Sequence, residues 1–251
     1  MRAERGTLIL RNEDLDRDRC RPEFVSAMLE DLQWIGLRWR EGPDIGGPFA
    51  PYDQSARLEW YLSVWRQLLA LGTIYPSPHS RRDVEQCLTA PHAEDQEPIF
   101  PVELRPPVGT GAGEAAPGAV NWRFRVPDAR QIAFHDQCLG PVERVAGQDF
   151  GDFLIWRKDG LPAYELAVVA DDHAMEISEV VRGADLLTST ARQLLLYEAL
   201  GWAAPAFYHC PLLCDENGRR LAKRTAAAAL RTFREQGMKP DELRASSAWS
   251  R

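Results

Sequence analysis

Val181-Arg182-Gly183-Ala184-Asp185-Leu186-Leu187 joins a predicted strand, residues 177–182, to a predicted helix that runs to about Leu200. Thr188 or Ser189 can cap that helix. Residues 207–213 form the next apolar run, which we predict to be a strand. Because strands alternate with helices at this spacing, we predict a mainly parallel α/β sheet with an inserted subdomain.

The amino-terminal part shows the same alternation. Residues 7–11 predict a short strand that runs into an acidic loop. Pro22 opens a helix that Gly36 ends, and Ser55 caps a second helix that ends at Gly72. Both helices repeat apolar residues with the 3.6-residue period, so we expect each to bury one face.

The middle of the chain differs in composition from the segments described above. Prolines recur from Tyr75 onward, and the Gly/Ala/Pro stretch 109–118 predicts a mobile excursion. Asp159-Gly160 predicts the turn of a β-hairpin between residues 153–157 and 163–169. Three further elements are predicted from the same signals: strands at 122–126 and 132–135, and a helix from Thr225 to Gln236.

Composition limits the function classes. The 251 residues carry a formal charge of -7, with 45% hydrophobic and 27% charged residues, as in an ordinary soluble globular protein. The net charge argues against a general polyanion binder, although basic residues lining one groove would still permit tRNA binding. The five scattered cysteines indicate reduced thiols. No apolar run is long enough to span a bilayer.

Four places carry candidate chemistry, and each has a plainer interpretation. Glu13 lies where a strand enters a loop, but it could belong to a solvated acidic turn. Tyr164 on the second hairpin strand and Arg182 on the next strand could serve packing and solvation alone. The basic turn with Arg220 and Lys223 suits phosphates, but such turns are often only solvated.

Several motifs in order decide between these interpretations, because together they resemble the glutamyl-tRNA synthetase family. Residues 11–16 resemble R-I-E-D-x-D, residues 164–172 resemble Y-x-L-A-V-V-x-D-D, and residues 181–187 resemble V-x-R-G-x-D-L-L. Residues 207–213 carry an H-x-P-L-like pattern, and residues 220–224 resemble K-L-S-K-R with Arg220 and Ala222 as departures. The resemblance runs from about Thr7 to Leu243 and implies a Rossmann-like class I synthetase catalytic core.

The resemblance also implies site roles. Glu13 would bind the α-amino group of glutamate, Tyr164 would contact the bound amino acid, and Arg182 would grip a substrate carboxylate with its planar fork. Lys223, expected to be catalytic, and Arg220 would bind ATP and neutralise charge on its phosphates. Magnesium would arrive with ATP.

The resemblance implies three regions. They are a first part of the nucleotide-binding core at 1–74, an inserted acceptor-type subdomain at 75–145, and a second core part at 146–251 with short carboxy-terminal helices and no anticodon-binding domain. One branch of the family often binds zinc in the insertion. The positions here matching its ligands are Ser77, His79, Phe100 and Leu104, so we predict no structural zinc.

The missing anticodon-binding domain and the Arg182-to-Leu187 motif indicate the glutamyl-Q tRNA(Asp) synthetase branch. It activates L-glutamate with ATP and transfers it to queuosine in the anticodon of tRNA(Asp). A discriminating glutamyl-tRNA synthetase fragment and a catalytically inactive paralogue remain alternatives. The resemblance implies a cytoplasmic, monomeric protein with no membrane partner. It also places a first strand and a HIGH-type motif before residue 1, so we expect the natural protein to begin upstream of Met1.

Overall fold

The computed structural model describes residues 6–16, 20–79, 83–84, 99–212 and 230–245. The chain groups into two compact units, one of residues 1–56 with 211–251 and one of residues 57–210. The domain boundaries predicted at residues 75 and 146 stay a prediction. Within the described ranges, no helix has the length and apolar character needed to cross a bilayer.

The first unit is built around helix α1 (Pro22–Trp34) and carries two short helices, α5 (Leu230–Glu235) and α6 (Pro240–Ala245). Pro22 opens α1 and Gly36 follows its end with a positive φ of 90°, as predicted. The predicted apolar stripe of α1 is not buried, since none of its residues is classed as buried. The helix instead meets α5 through ion pairs, in which Arg231 and Arg234 contact Glu30.

The strand predicted at residues 7–11 is reduced to two isolated parallel bridges, Ile9 to Glu41 and Asn12 to Asp53. Ser55 does not cap α2 (Leu58–Ala70), because it lies in a 3₁₀ turn, Gln54–Ala56, before Arg57 at the helix start. Its amide and hydroxyl donate to the Asp14 carboxylate at 2.8 and 2.5 Å. Asp14, the residue after Glu13, therefore connects this part of the chain to the 3₁₀ turn that contains Ser55.

The second unit contains two sheets. Strands β1 (Ile74–Ser77), β2 (Asn121–Phe124) and β5 (Phe153–Trp156) form an antiparallel sheet in the order β1-β2-β5. Strands β3 (Gln131–Asp136), β4 (Gly140–Val145), β6 (Glu179–Gly183) and β7 (Ala206–Cys210) form a sheet in the order β4-β3-β7-β6. Only β3–β7 and β6–β7 are parallel, so the described sheets are mixed rather than mainly parallel. The predicted α/β class is confirmed.

In the described part of this unit three helices pack against one another: α2, α3 (Tyr164–Ala174) and α4 (Leu187–Leu200). Helix α2 buries Tyr61, Val64, Trp65, Leu68 and Leu69, the face that its 3.6-residue period predicts. Gly201 ends α4 in the left-handed conformation. Thr188 and Ser189 do not cap α4, because Leu186 precedes its first turn and both residues lie inside the helix.

The predicted hairpin at Asp159-Gly160 is wrong in its second half. The turn exists, with Gly160 at a φ of 85° and the Arg157 amide donating to Leu161. Residues 163–169, predicted as a strand, instead begin helix α3. Residues 165–172 are all buried, and the central residues 166–170 are all apolar, so the sequence there shows no helical period. The prediction therefore lacked the signal that separates a buried helix from a strand.

The stretch 109–118 follows consecutive turns against the antiparallel sheet. A Cβ on Gly111, which has a φ of 84°, would lie 2.8 Å from both Pro76 Cδ and Trp122 Cη2. The Trp122 indole nitrogen donates to the Pro117 carbonyl at 2.6 Å. Glycine is therefore required at position 111 by backbone conformation and by close approach.

Candidate active site

Arg182 lies on β6 beside β7, where its register partner is His209. Its Nε donates to His209 Nε2 at 3.2 Å. Its Nη2 donates to Thr190 Oγ1 at 2.6 Å and to Gln193 Oε1 at 2.8 Å. The guanidinium also lies over the Phe207 ring, 5.4 Å from the centroid. One edge of the guanidinium is therefore held by three neutral acceptors.

The contacts of His209 and Thr190 indicate which of their atoms donate and which accept beside Arg182. His209 Nδ1 lies 2.6 Å from Asp136 Oδ2 and donates to that carboxylate, so Nε2 carries the lone pair that accepts from Arg182. The Thr190 hydroxyl accepts from Arg182, and its own proton faces two acceptors, the Leu186 carbonyl at 3.1 Å and His209 Nε2 at 2.9 Å. Nε and Nη2 of Arg182 are thereby used, while its Nη1 makes no hydrogen bond to any residue that the structure describes.

Asp136 is the fixed end of this arrangement. It is fully buried, and it accepts hydrogen bonds from the backbone amides of Cys138, Leu139 and His209 as well as from the His209 ring. Burial raises the pKa of Asp136, but the His209 side chain and these amides outweigh burial and lower the pKa to about 2. Asp136 is therefore an anion throughout the neutral range.

A second buried carboxylate stands behind Gln193. The Gln193 Nε2 donates to Glu165 Oε2 at 2.8 Å, which leaves Gln193 Oε1 directed at Arg182. Arg192 lies 3.7 Å from Glu165 Oε1. Burial raises the pKa of Glu165, while Arg192, Ser189, Gln193 and Arg182 oppose that rise.

Tyr164 is adjacent in the chain to one residue of this network. It is the first residue of α3, its side chain is 37% exposed, and the next residue in the chain is Glu165. The start of α3 is thus tied to Arg182 through Glu165 and Gln193. The guanidinium of Arg182, with Nη1 unpaired among the described residues, has the charge and the donors to bind a small anion.

Comparison with known proteins identifies the family of the chain. The family model of class I tRNA synthetases (E and Q), catalytic domain, matches residues 1–246. The chain belongs to this family. It is similar to glutamyl-Q tRNA(Asp) synthetases of Symbiobacterium thermophilum, with 45% identity over 95% of this chain and 74% of the relative, and of Nitratidesulfovibrio vulgaris, with 43% identity over 93% and 72%.

A solved structure supports the fold assignment of this class I synthetase domain. A glutamate-tRNA synthetase from Elizabethkingia anophelis superimposes with a TM-score of 0.74 at 33% identity, and the match covers 87% of this chain. The chain spans 46% of that structure's length. The class I catalytic-core fold expected from the motifs is therefore confirmed, and the family is one of ligases.

The expected site residues of the synthetase domain do not all belong to one unit. Glu13 belongs to the first unit, where its carboxylate is 44% exposed and lies 3.3 Å from Arg11 Nη2. Arg182 and Tyr164 belong to the second unit. Lys223 and Arg220, expected to bind ATP, fall outside the described residues.

The four positions that match zinc ligands in one branch of the synthetase family contribute mainly to packing here. Phe100 belongs to an apolar cluster with Tyr75 and Val84, and Leu104 packs against it. The His79 ring lies 6.2 Å from that of Phe100, and Ser77 accepts from Arg123. Among the described residues, no group of three or more His, Cys, Asp or Glu could hold a metal ion.

Sequence reasoning assigned no role to the residues that contact Arg182, which are Thr190, Gln193 and His209. It also assigned none to the carboxylates behind them, Asp136 and Glu165. Two signals could have found some of them. Thr190 and Gln193 are three residues apart, so they share a face of α4. The predicted strands 177–182 and 207–213, if paired in parallel, place His209 beside Arg182. The contributions of Asp136 and Glu165 depend on contacts that no local pattern indicates.

Proposed function

We propose that this protein activates L-glutamate with ATP and transfers the glutamyl group to queuosine in the anticodon of tRNA(Asp). Both glutamyl-Q tRNA(Asp) synthetases reported above support this acceptor. The observation that carries the amino-acid part of the proposal is the guanidinium of Arg182, which is held on one edge and open at Nη1.

Glutamate has two carboxylates, and only one reacts. The α-carboxylate loses its charge when it becomes an anhydride, whereas the side-chain carboxylate stays charged throughout. A guanidinium that is permanently positive suits the carboxylate that keeps its charge. Arg182 would therefore bind the side-chain carboxylate and discriminate against glutamine, whose neutral amide would place N–H donors near the donors of Arg182.

Two further contacts complete the proposed amino-acid site. The α-ammonium of glutamate needs an anionic partner, and the half-exposed carboxylate of Glu13 provides one. The exposed face of Tyr164 would cover the substrate from the start of α3.

The chemistry would proceed in two steps. An α-carboxylate oxygen attacks the α-phosphorus of ATP, and pyrophosphate leaves to give glutamyl adenylate. A ring hydroxyl of queuosine then attacks the carbonyl carbon, and AMP leaves. In this proposal Lys223 and Arg220 neutralise the phosphates, and Mg²⁺ accompanies ATP. The partners would be ATP, L-glutamate and tRNA(Asp), with the protein a cytoplasmic monomer.

Glutamate-dependent ATP–pyrophosphate exchange without tRNA tests the activation step. We expect exchange with glutamate and little with glutamine. Absence of exchange with both amino acids would contradict the proposal and indicate an inactive paralogue of the synthetases.

Transfer of labelled glutamate tests the acceptor. We expect labelling of tRNA(Asp) that contains queuosine and none of tRNA(Asp) prepared without it. Labelling of tRNA(Glu) at its terminal adenosine would instead identify a glutamyl-tRNA synthetase activity. The matched tRNA(Asp) pair differs only in the modified base, so its comparison isolates the proposed nucleophile.

A further inference from the structure

We infer that His209 and Gln193 are positioning residues for Arg182. The buried carboxylate of Asp136 orients the hydrogen-bond donor and acceptor of His209, and the buried carboxylate of Glu165 does the same for the amide of Gln193. This inference rests on the proposed function, because it describes how the glutamate-binding arginine is oriented. His209 and Gln193 do not contact the substrate in this scheme. They act through the direction in which they hold the guanidinium.

The His209 branch depends on the tautomer. A neutral imidazole offers one donor and one acceptor, and Asp136 receives the donor at 2.6 Å. The acceptor nitrogen must then face Arg182 Nε, which lies 3.2 Å away. The other tautomer would set an N–H against the N–H of Arg182 and would leave the buried Asp136 without its ring donor. Asp136 therefore holds a proton on Nδ1, and the Arg182 N–H that faces Nε2 disfavours a second proton on the ring.

The Gln193 branch follows the same logic with an amide. Glu165 Oε2 accepts from Gln193 Nε2 at 2.8 Å, so the carbonyl oxygen of Gln193 faces Arg182 Nη2 at 2.8 Å. A flipped amide would direct N–H groups at the guanidinium and its oxygen at a carboxylate. The environment of Glu165 thus fixes the orientation of Gln193.

The benefit of this arrangement is that it fixes the guanidinium without neutralising it by direct contact. A carboxylate touching Arg182 would compete with the substrate for the same donors. Neutral acceptors leave the positive charge of Arg182 available to the substrate. The carboxylates of Asp136 and Glu165, which contact those acceptors and not Arg182, fix the orientation of the acceptors. Nη1 has no acceptor in the described part of the chain, and it is the nitrogen that this proposal assigns to the substrate carboxylate.

Two substitutions of His209 test the inference. In His209→Asn the amide nitrogen can replace Nδ1 toward Asp136, but nothing replaces the Nε2 acceptor. In His209→Gln the longer side chain can place its oxygen near the Nε2 position. We expect glutamate affinity, measured by isothermal titration calorimetry, to fall about tenfold in His209→Asn and to stay within about threefold in His209→Gln. ATP affinity, measured in parallel, should not change in either variant.

Gln193→Met gives a second measurement if a His209 variant does not fold. The side chain keeps its length but loses the acceptor, so glutamate affinity should again fall about tenfold at unchanged ATP affinity. The inference is overturned if Asn and Gln at position 209 behave alike, if Gln193→Met has no effect, or if ATP affinity falls equally. Arg182→Ala separates the two levels. If Arg182→Ala does not weaken glutamate binding, the proposed site itself is refuted. If Arg182→Ala weakens glutamate binding but Gln193→Met binds glutamate normally, only the positioning role is refuted.

Discussion

Arg105 and Arg182 lie in the same unit, yet their surroundings differ in kind. Arg105 donates to Asp152 through Nε and Nη2 at 2.7 and 2.6 Å, and to Asp128 through Nη1 at 2.7 Å. Among the described residues, Arg182 contacts no carboxylate and is held by His209, Thr190 and Gln193 through Nε and Nη2. An arginine whose nitrogens all meet protein carboxylates or carbonyls is structural, whereas one held by neutral groups with an open nitrogen is arranged to bind an anion.

The partners of Arg105 are themselves shared within the core. Asp152 is fully buried and also accepts the Tyr75 hydroxyl at 2.6 Å and the Val126 amide at 2.9 Å. This cluster links β1, β5 and the segments beside them. Its charges are satisfied internally, so it stabilises the fold and has no capacity left for a ligand.

The largest expected effect is on stability at the structural arginine. Arg105→Ala should lower the free energy of unfolding by about 3–5 kcal/mol, because it leaves the buried carboxylate of Asp152 without its charged partner. Denaturation with urea measures this difference. Asp128→Asn is the matched control, since Asp128 is 60% exposed and its ion pair should contribute at most about 1 kcal/mol. Equal losses in the two variants would contradict the distinction between buried and exposed partners.

The converse substitution should affect binding. Arg182→Ala should weaken glutamate binding by about 100-fold, since it removes the charged partner of a substrate carboxylate. Arg182→Lys should restore only part of this affinity, because an ammonium cannot contact His209, Thr190 and Gln193 while it also offers a separate donor to the substrate. Calorimetric titration with glutamate measures both. A variant that binds glutamate normally but unfolds easily would show that Arg182 resembles Arg105 after all.

The third effect is a dependence of stability on pH. The folded-state pKa of Asp136, about 2, lies below the value of about 3.9 for an unfolded aspartate. Its contribution, about 2 kcal/mol, should be present above pH 4 and lost as the pH falls through 2. The gap in unfolding free energy between the native protein and Asp136→Asn should therefore shrink across this window. A gap that stays constant from pH 6 to pH 2 would argue against an ionised, hydrogen-bonded Asp136.

The smallest expected effect sharpens the description of the Arg105 cluster. Tyr75→Phe should lower the free energy of unfolding by about 1 kcal/mol, because Asp152 keeps its contacts with Arg105 and the Val126 amide when the Tyr75 hydroxyl is removed. Burial, followed by the charge of Asp152, raises the pKa of the Tyr75 phenol. Absorbance titration should accordingly show one tyrosine that does not ionise before the protein unfolds. Ionisation of all tyrosines near their usual pH would contradict this contact.

Local sequence signals located most elements but not the identity of each. The helix starting at Pro22 and the ends at Gly72 and Gly201 were predicted, because proline and glycine act through their own backbone preferences. Helix α3 was predicted as a strand, since burial of residues 165–172 removes the polar face that reveals a helical period. Strand β4, which pairs with β3, was not predicted at all.

The sequence by itself determined the family, the α/β class and Arg182 as a candidate ligand residue, because these depend on motif order and on residue chemistry. Only the tertiary structure decided that Asp136, Glu165, Gln193 and His209 converge on that arginine. Asp136 is 73 residues from His209 in the chain, and Glu165 is 28 residues from Gln193. Contacts at such separations arise from strand pairing and helix packing, and a hydrogen-bond polarity set by a buried carboxylate exists only once those elements have come together.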